Sequence, residues 1–174
     1  ALARAKQKAR AASCKSNLKQ WGLEWMIYTG DHNDSFSDGV SSGLNRGEWI
    51  YALKQAYGKK PSLLLCPVAT RLREQTDNGE LPFAGTLAEA GGNWYGGPTT
   101  AATIPFDEPS PENPKGLLLH SYGANMFIYN LPPDVVRLRK RPAEWFWRKM
   151  TAPPRPVETP LMADAMWRGA GPHH

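Results

Sequence analysis

Residues Ser13 to Asp34 read SCKSNLKQWGLEWMIYTGDHND, and their spacing decides the fold. At about 100° per residue, Ala11, Cys14, Leu18, Trp21, Trp25 and Tyr28 fall on one face of a helix. A stripe so rich in large rings is the face of a helix laid on a core. The residues before it, ALARAKQKARAA, have no such stripe. The same arc carried backwards meets Arg10, Gln7 and Ala3. Helix propensity continues nonetheless, because Ala, Lys, Arg and Gln all favour helix. The expectation is one helix from about Leu2 to Thr29, buried in its second half and bare in its first. Gly22 costs such a helix about 1 kcal/mol against Ala and lets another backbone approach. Gly30 is expected to end it as a C-terminal glycine.

Working outward, Asp31 to Gly39 (DHNDSFSDG) form a polar loop. Asp31, Asn33 and Ser35 alternate as oxygen ligands do in a calcium loop. Phe36 stands where the EF-hand needs Gly, and Ser42 where it needs Glu, so that match fails. Asp31, Asn33, Asp34 and Asp38 remain an irregular calcium candidate, set against a plain helix-ending turn. Next, Trp49, Leu53 and Tyr57 recur every four residues with Ile50 beside them, a short amphipathic helix between Gly47 and Gly58. Ser62 to Pro67 (SLLLCP) read as a buried strand or a short buried turn. Residues 68–115 are rich in Gly, Pro, Thr and Ser and are read as a surface insertion, with one short helix near Thr86 to Ala90. Gly116 to Asn130 are strand material with a turn at Gly123. Arg141 to Met150 read as a short helix started by Pro142, and Glu158 to Trp167 as a last strand.

The net charge of +5 is unevenly placed. Arg4, Lys6, Lys8, Arg10, Lys15 and Lys19 occupy the first twenty residues without an acid. Arg137, Arg139, Lys140, Arg141, Arg148 and Lys149 form a second basic segment opposed by Glu144 alone. Elsewhere acids outnumber bases. Such segments are either solvated faces or contacts for an anionic surface, lipid headgroup or nucleic acid. In the second segment Trp145, Phe146 and Trp147 are adjacent, so one ring is expected at the surface. The chain holds two cysteines, Cys14 and Cys66. They lack the further ligands of a zinc site. They form either one bridge in an oxidising compartment or two buried free thiols.

Nucleophilic catalysis finds no motif, neither a Gly-x-Ser-x-Gly elbow nor a phosphate-binding loop. His32 and His120 are isolated, and His173 and His174 lie at the end of the chain. A metal-dependent hydrolase using Asp31, Asp34 and a His is the remaining enzymatic alternative. No run approaches the roughly 18 apolar residues that span a membrane.

Leu2, Ala3, Ala5, Cys14, Asn17, Leu18, Lys19, Gln20, Gly22 and Leu23 resemble the stretch L-A-x-A…C-x-x-N-L-K-Q-x-G-L that follows the membrane helix in bacterial type IV pilin-like proteins. The resemblance is to prepilin-type pseudopilins of the kind abundant in Verrucomicrobia and Planctomycetes. Tyr28 to Asp34, Leu63 to Pro67, Ser121 to Asn125 and Thr159 to Trp167 are further similar pieces.

The resemblance implies an α+β, pilin-like fold. A long N-terminal helix (residues 1–30) would pack on an antiparallel β-sheet within a globular head (residues 31–174). Leu18, Trp21, Trp25 and Tyr28 would carry the packing. Arg4, Lys6, Lys8 and Arg10 would form a basic junction facing headgroups or neighbouring subunits. It implies a structural subunit of a type II secretion pseudopilus or type IV pilus-like filament. The partners would be other pilin-like subunits and the assembly machinery. The head would lie in the periplasm, or in an extracellular filament, with no cofactor unless calcium. The alternative is a minor pilin-like surface protein binding DNA or polysaccharide through its basic segments. The chain does not start with Met, so an apolar helix of about 20 residues is expected upstream. Many relatives also carry a further C-terminal stretch, so a last strand beyond His174 is expected to be missing or swapped.

Overall fold

A computed structural model describes residues 2–40, 48–69, 71–72, 100–105, 117–138, 141–153, 155–165 and 169–170. The architecture is α+β, with a long N-terminal helix followed by short helices and small sheets. Helix α1 spans Leu2–Asp31. Helices α2 (Glu48–Ala52) and α3 (Lys54–Lys59) follow, then a 3-10 turn at Pro61–Leu64. Strands β1 (Arg71–Leu72), β2 (Thr100–Pro105), β3 (Leu117–His120) and β4 (Tyr122–Asn125) precede helix α4 (Pro133–Leu138). A 3-10 turn at Ala143–Trp145 and strands β5 (Met162–Asp164) and β6 (Gly169–Ala170) complete the order.

The expected single antiparallel sheet is two three-stranded sheets, ordered β1-β2-β3 and β5-β4-β6. Each combines one antiparallel pairing (β2 with β3, β4 with β5) and one parallel pairing (β1 with β2, β4 with β6). The break between β3 and β4 falls at Ser121, not Gly123, which pairs with Ala163 inside β4. Ser121 gives its N–H to the Leu64 carbonyl at 2.9 Å and its hydroxyl to the Ala69 carbonyl at 2.6 Å. The N–H is thereby withdrawn from a strand ladder, and the chain changes sheet there.

Residues 68–115 are more than a surface insertion. Strand β2 lies within them, pairs Ala102 with His120, and buries Ala101 and Ala102. The helix expected near Thr86 to Ala90 lies outside the described residues. The SLLLCP stretch is the 3-10 turn rather than a strand, with Pro61 in its first turn and Leu63 and Leu64 buried.

Helix α1 buries Cys14, Trp21, Trp25 and Thr29, with Leu18 and Tyr28 packed against the same core. Trp21 stands edge-on to Trp49 at 5.1 Å and tilted to Tyr57 at 6.3 Å. Trp25 stands edge-on to Phe36 at 5.2 Å. Edge-to-face pairs of this kind add about 0.5–1.5 kcal/mol beyond their buried area. Trp49, Ile50, Leu53 and Tyr57 are all buried, although the expected single helix is split in two at Leu53.

The end of α1 corrects the expectation at Gly30, which stays within the helix. Asn33 takes the left-handed conformation (φ 53°), and the Asp34 N–H returns to the Thr29 carbonyl at 2.8 Å. This six-to-one closure with Asn in the left-handed position is a Schellman end. Asn tolerates that conformation better than most residues with a side chain.

Candidate functional site

From Leu2 to Ser13 every residue of α1 is exposed, and the first buried residue is Cys14. The bare first half and packed second half meet at that residue. There Cys14 is joined to Cys66 in a disulfide, with Cα atoms 5.4 Å apart and a sequence separation of 52. The geometry is open to a bridge because the Pro61–Leu64 turn delivers Cys66 beside the helix. Asn17, one turn further on, gives its amide to the Leu65 carbonyl at 3.2 Å and to the Tyr122 hydroxyl at 3.3 Å. Trp21, a turn beyond, gives its indole N–H to the Leu63 carbonyl at 3.1 Å. Three successive turns of α1 thus hold one short segment, Leu63 to Cys66, through a covalent bond and two hydrogen bonds.

Arg4, Lys6, Lys8 and Arg10 lie on the exposed half. A groove of about 950 Å³ runs along this half, lined by Lys6 and Arg10, but not by Arg4 or Lys8, on one side and by Val68, Asp164 and Ala165 on the other. Asp164 is exposed at the surface, and its partial burial raises the carboxyl from its ordinary value. Burial also raises Tyr122, helped by the charge of Asp164 and opposed by the Asn17 hydrogen bond. The bridge sulfurs and a carboxylate oxygen of Asp164 lie within 4.8 Å of one another. Sulfurs shared in a disulfide are not thiolates, so the oxidised group is no metal site.

The calcium candidate residues serve the turn itself. Asp38 accepts the Val40 N–H at 2.9 Å, Asp34 accepts the Thr151 hydroxyl, and Asn33 supplies the left-handed residue. Asp31 is exposed at the last position of α1. Among the described residues, Asp31, Asp34 and Asp38 do not converge at ligating distance as Cys14, Cys66 and Asp164 do. His32 stacks on Tyr28 at 4.0 Å, and His120 is buried edge-on to Trp49. Burial raises the Tyr28 hydroxyl, with the charges of Glu48 and Asp38 adding to it.

In the second basic segment the three adjacent aromatics divide as expected. Trp145 is 42% exposed, Trp147 is half-buried and Phe146 is buried. Arg141 lies over the Trp145 ring at 6.0 Å. Arg139 and Lys140 lie outside the described residues.

Sequence reasoning overlooked the bridging role of Asn17 and the buried Glu48. Asn17 carried one usable signal: it sits one turn after Cys14 on the edge of the packed stripe, where a polar side chain needs a partner. Among the described residues, no helix is long and apolar enough to cross a membrane. In comparisons with known proteins, no family model, no curated protein and no solved structure matches the chain.

Proposed function

We propose that this chain is a pilin-like structural subunit of a type II secretion pseudopilus or a type IV pilus-like filament. In that role the head sits in the periplasm or on an extracellular filament. An apolar helix upstream would hold the subunit in the inner membrane before assembly. The observation that carries the reading is the division of α1. Its second half is the spine of the core and is stapled at Cys14, while its first half has no cover from its own body. Isolated helices so short are marginal in water. A helix kept bare in this way needs neighbours, and a filament supplies them. The basic junction of Arg4, Lys6, Lys8 and Arg10 would face headgroups before assembly and neighbouring subunits after it. No residue is assigned to catalysis, and no cofactor is assigned.

The test is immunogold labelling of cells that make the full gene product, combined with cross-linking in intact cells. Labelled filaments, or cross-links to other pilin-like subunits and the assembly machinery, are the expected result. A product found as a free monomer, unlabelled on any filament, would overturn the reading.

One observation favours a second reading, a minor surface protein that binds DNA or polysaccharide. Trp145 is exposed beside Arg141, an aromatic face and a cation of the kind that bases and sugars stack upon. DNA affinity that falls steeply with added salt would support it.

A further inference from the structure

Helix α1 has a second face that its own body does not use. Leu2, Ala5, Ala9, Ala12, Leu23 and Ile27 fall within a narrow arc opposite the buried stripe, at about 100° per residue. All six are exposed, with Leu2 at 84%, Leu23 at 54% and Ile27 at 53%. Met26, beside this arc, is 61% exposed. Small residues fill the first half of the face and large apolar ones the second. Gly30 lies on the same arc, and a Cβ added there would meet nothing within 4 Å. A solvated helix carries polar residues on its outer face, whereas here the charges stand on either side of an uncharged strip.

The charges are also segregated along the axis. From Leu2 to Lys19 the helix carries bases and no acid, and from Gln20 to Asp31 it carries Glu24 and Asp31 with neither Lys nor Arg. A parallel, in-register neighbour would set base against base. An antiparallel neighbour sets the basic half of each copy against the acidic half of the other, and opposes the two helix dipoles.

From these two independent patterns we infer that the outer face of α1 is a docking surface for a second copy of this chain. The two helices run antiparallel with Ser16 beside the two-fold axis. Small residues of one copy lie under Leu23, Met26 and Ile27 of the other, and the pair is closed and isologous. A 30-residue helix is about 45 Å long and about 10 Å across. One strip along it covers on the order of 450 Å² per copy, which lies below the lower end of stable interfaces. The pair is therefore weak and salt-sensitive. The inference goes beyond the filament reading and stands without it. In a filament the same face would have to be released, so the closed pair is a state that competes with assembly.

The experiment is sedimentation equilibrium of the chain over a micromolar-to-millimolar range, at low and at high salt. A monomer–dimer equilibrium is expected, weakened about tenfold or more by salt. Leu23→Gln combined with Ile27→Gln should abolish it while leaving the circular dichroism spectrum unchanged, because both positions are exposed. Glu24→Lys with Asp31→Lys should also abolish it. Mixing that variant with a Lys6→Glu, Lys8→Glu, Arg10→Glu variant, itself expected to be monomeric, should restore a dimer, since both charged contacts of the mixed pair again join opposite charges. A Ser16→Cys variant should cross-link to itself on oxidation, and a Leu2→Cys variant should not. A monomer at every concentration, a dimer indifferent to the Leu23 and Ile27 changes, open-ended oligomers, or cross-linking at Leu2 instead of Ser16 would each overturn the inference.

Discussion

Asn17 donates its side-chain amide to the Tyr122 hydroxyl at 3.3 Å, tying the helix to the central strand of the second sheet. The same amide reaches the Leu65 carbonyl, so one side chain joins a helix, a turn and a strand. Asn17→Ala leaves two part-buried groups without that donor. The expected cost is about 1–3 kcal/mol, read as a lower urea midpoint at unchanged slope. The variant should also shift Tyr122 ionisation to still higher pH, because the bond that opposes the shift is gone. In the parent protein the folded state ionises this tyrosine later than the unfolded chain does. Stability should therefore fall as pH rises from about 10 through the folded value. Ultraviolet difference titration and alkaline unfolding check both statements.

Cys14 and Cys66 close a long loop, and the chain-entropy argument gives about 4 kcal/mol of stabilisation for a bridge of this span. Protein recovered from an oxidising compartment and denatured without reductant should take up no alkylating reagent. Reduction, or Cys14→Ser with Cys66→Ser, should lower the unfolding free energy by up to that amount. Two alkylated cysteines by mass spectrometry would contradict the expectation.

Trp21→Ala removes a fully buried ring and its hydrogen bond to the Leu63 carbonyl. Core truncations of this size cost about 3–5 kcal/mol. Trp21→Phe keeps part of the volume but leaves the carbonyl without its donor, and should cost less. Thermal denaturation of the pair separates packing from hydrogen bonding.

Gly39 has φ +73°, and a Cβ there would stand 2.8 Å from both Leu131 Cδ2 and Tyr129 Cγ. Strain and collision act together, so Gly39→Ala should destabilise by about 2 kcal/mol or more. An unfolding midpoint equal to that of the parent would refute this.

Asp164 is an acid whose folded-state pKa is raised above 3.8 by burial. The unfolded chain releases this proton first, so the group opposes folding increasingly as pH rises from about 3.8 through the folded value. Asp164→Asn should therefore be more stable than the parent at neutral pH. Its advantage should vanish in acid, where both states hold the proton. Urea midpoints measured across that range provide the check, and an advantage that grows in acid would contradict it.

The long helix, its packed stripe and its bare beginning were legible in the sequence because period and propensity are local properties. Trp49, Leu53 and Tyr57 were legible for the same reason. The end of α1 was misread because Gly30 is a generic stop signal. The left-handed residues are Asn33 and Asp34, placed where the Thr29 carbonyl finds the Asp34 N–H as its donor. Sheet order was not legible, since strand partners are set by distant contacts such as those of Ser121 with Leu64 and Ala69. Strand β2 hid inside a Gly- and Pro-rich region because Thr100 to Pro105 carry no strict alternation of apolar and polar residues. Of the candidate site, the basic junction was visible as charge alone. The convergence of Asp164 on the two cysteines depends on a strand far along the chain.

The staple at Cys14 also has a mechanical consequence. A pull on the N-terminal end of α1 reaches the body first at the residue bonded to Cys66. Tension then passes through a covalent link into the Leu63–Cys66 turn before it can peel Trp21 and Trp25 from their pockets. In the oxidised protein the helix should resist unzipping, and force should be borne in shear by the whole head. In the reduced protein the same pull would strip the helix turn by turn, at a far smaller force.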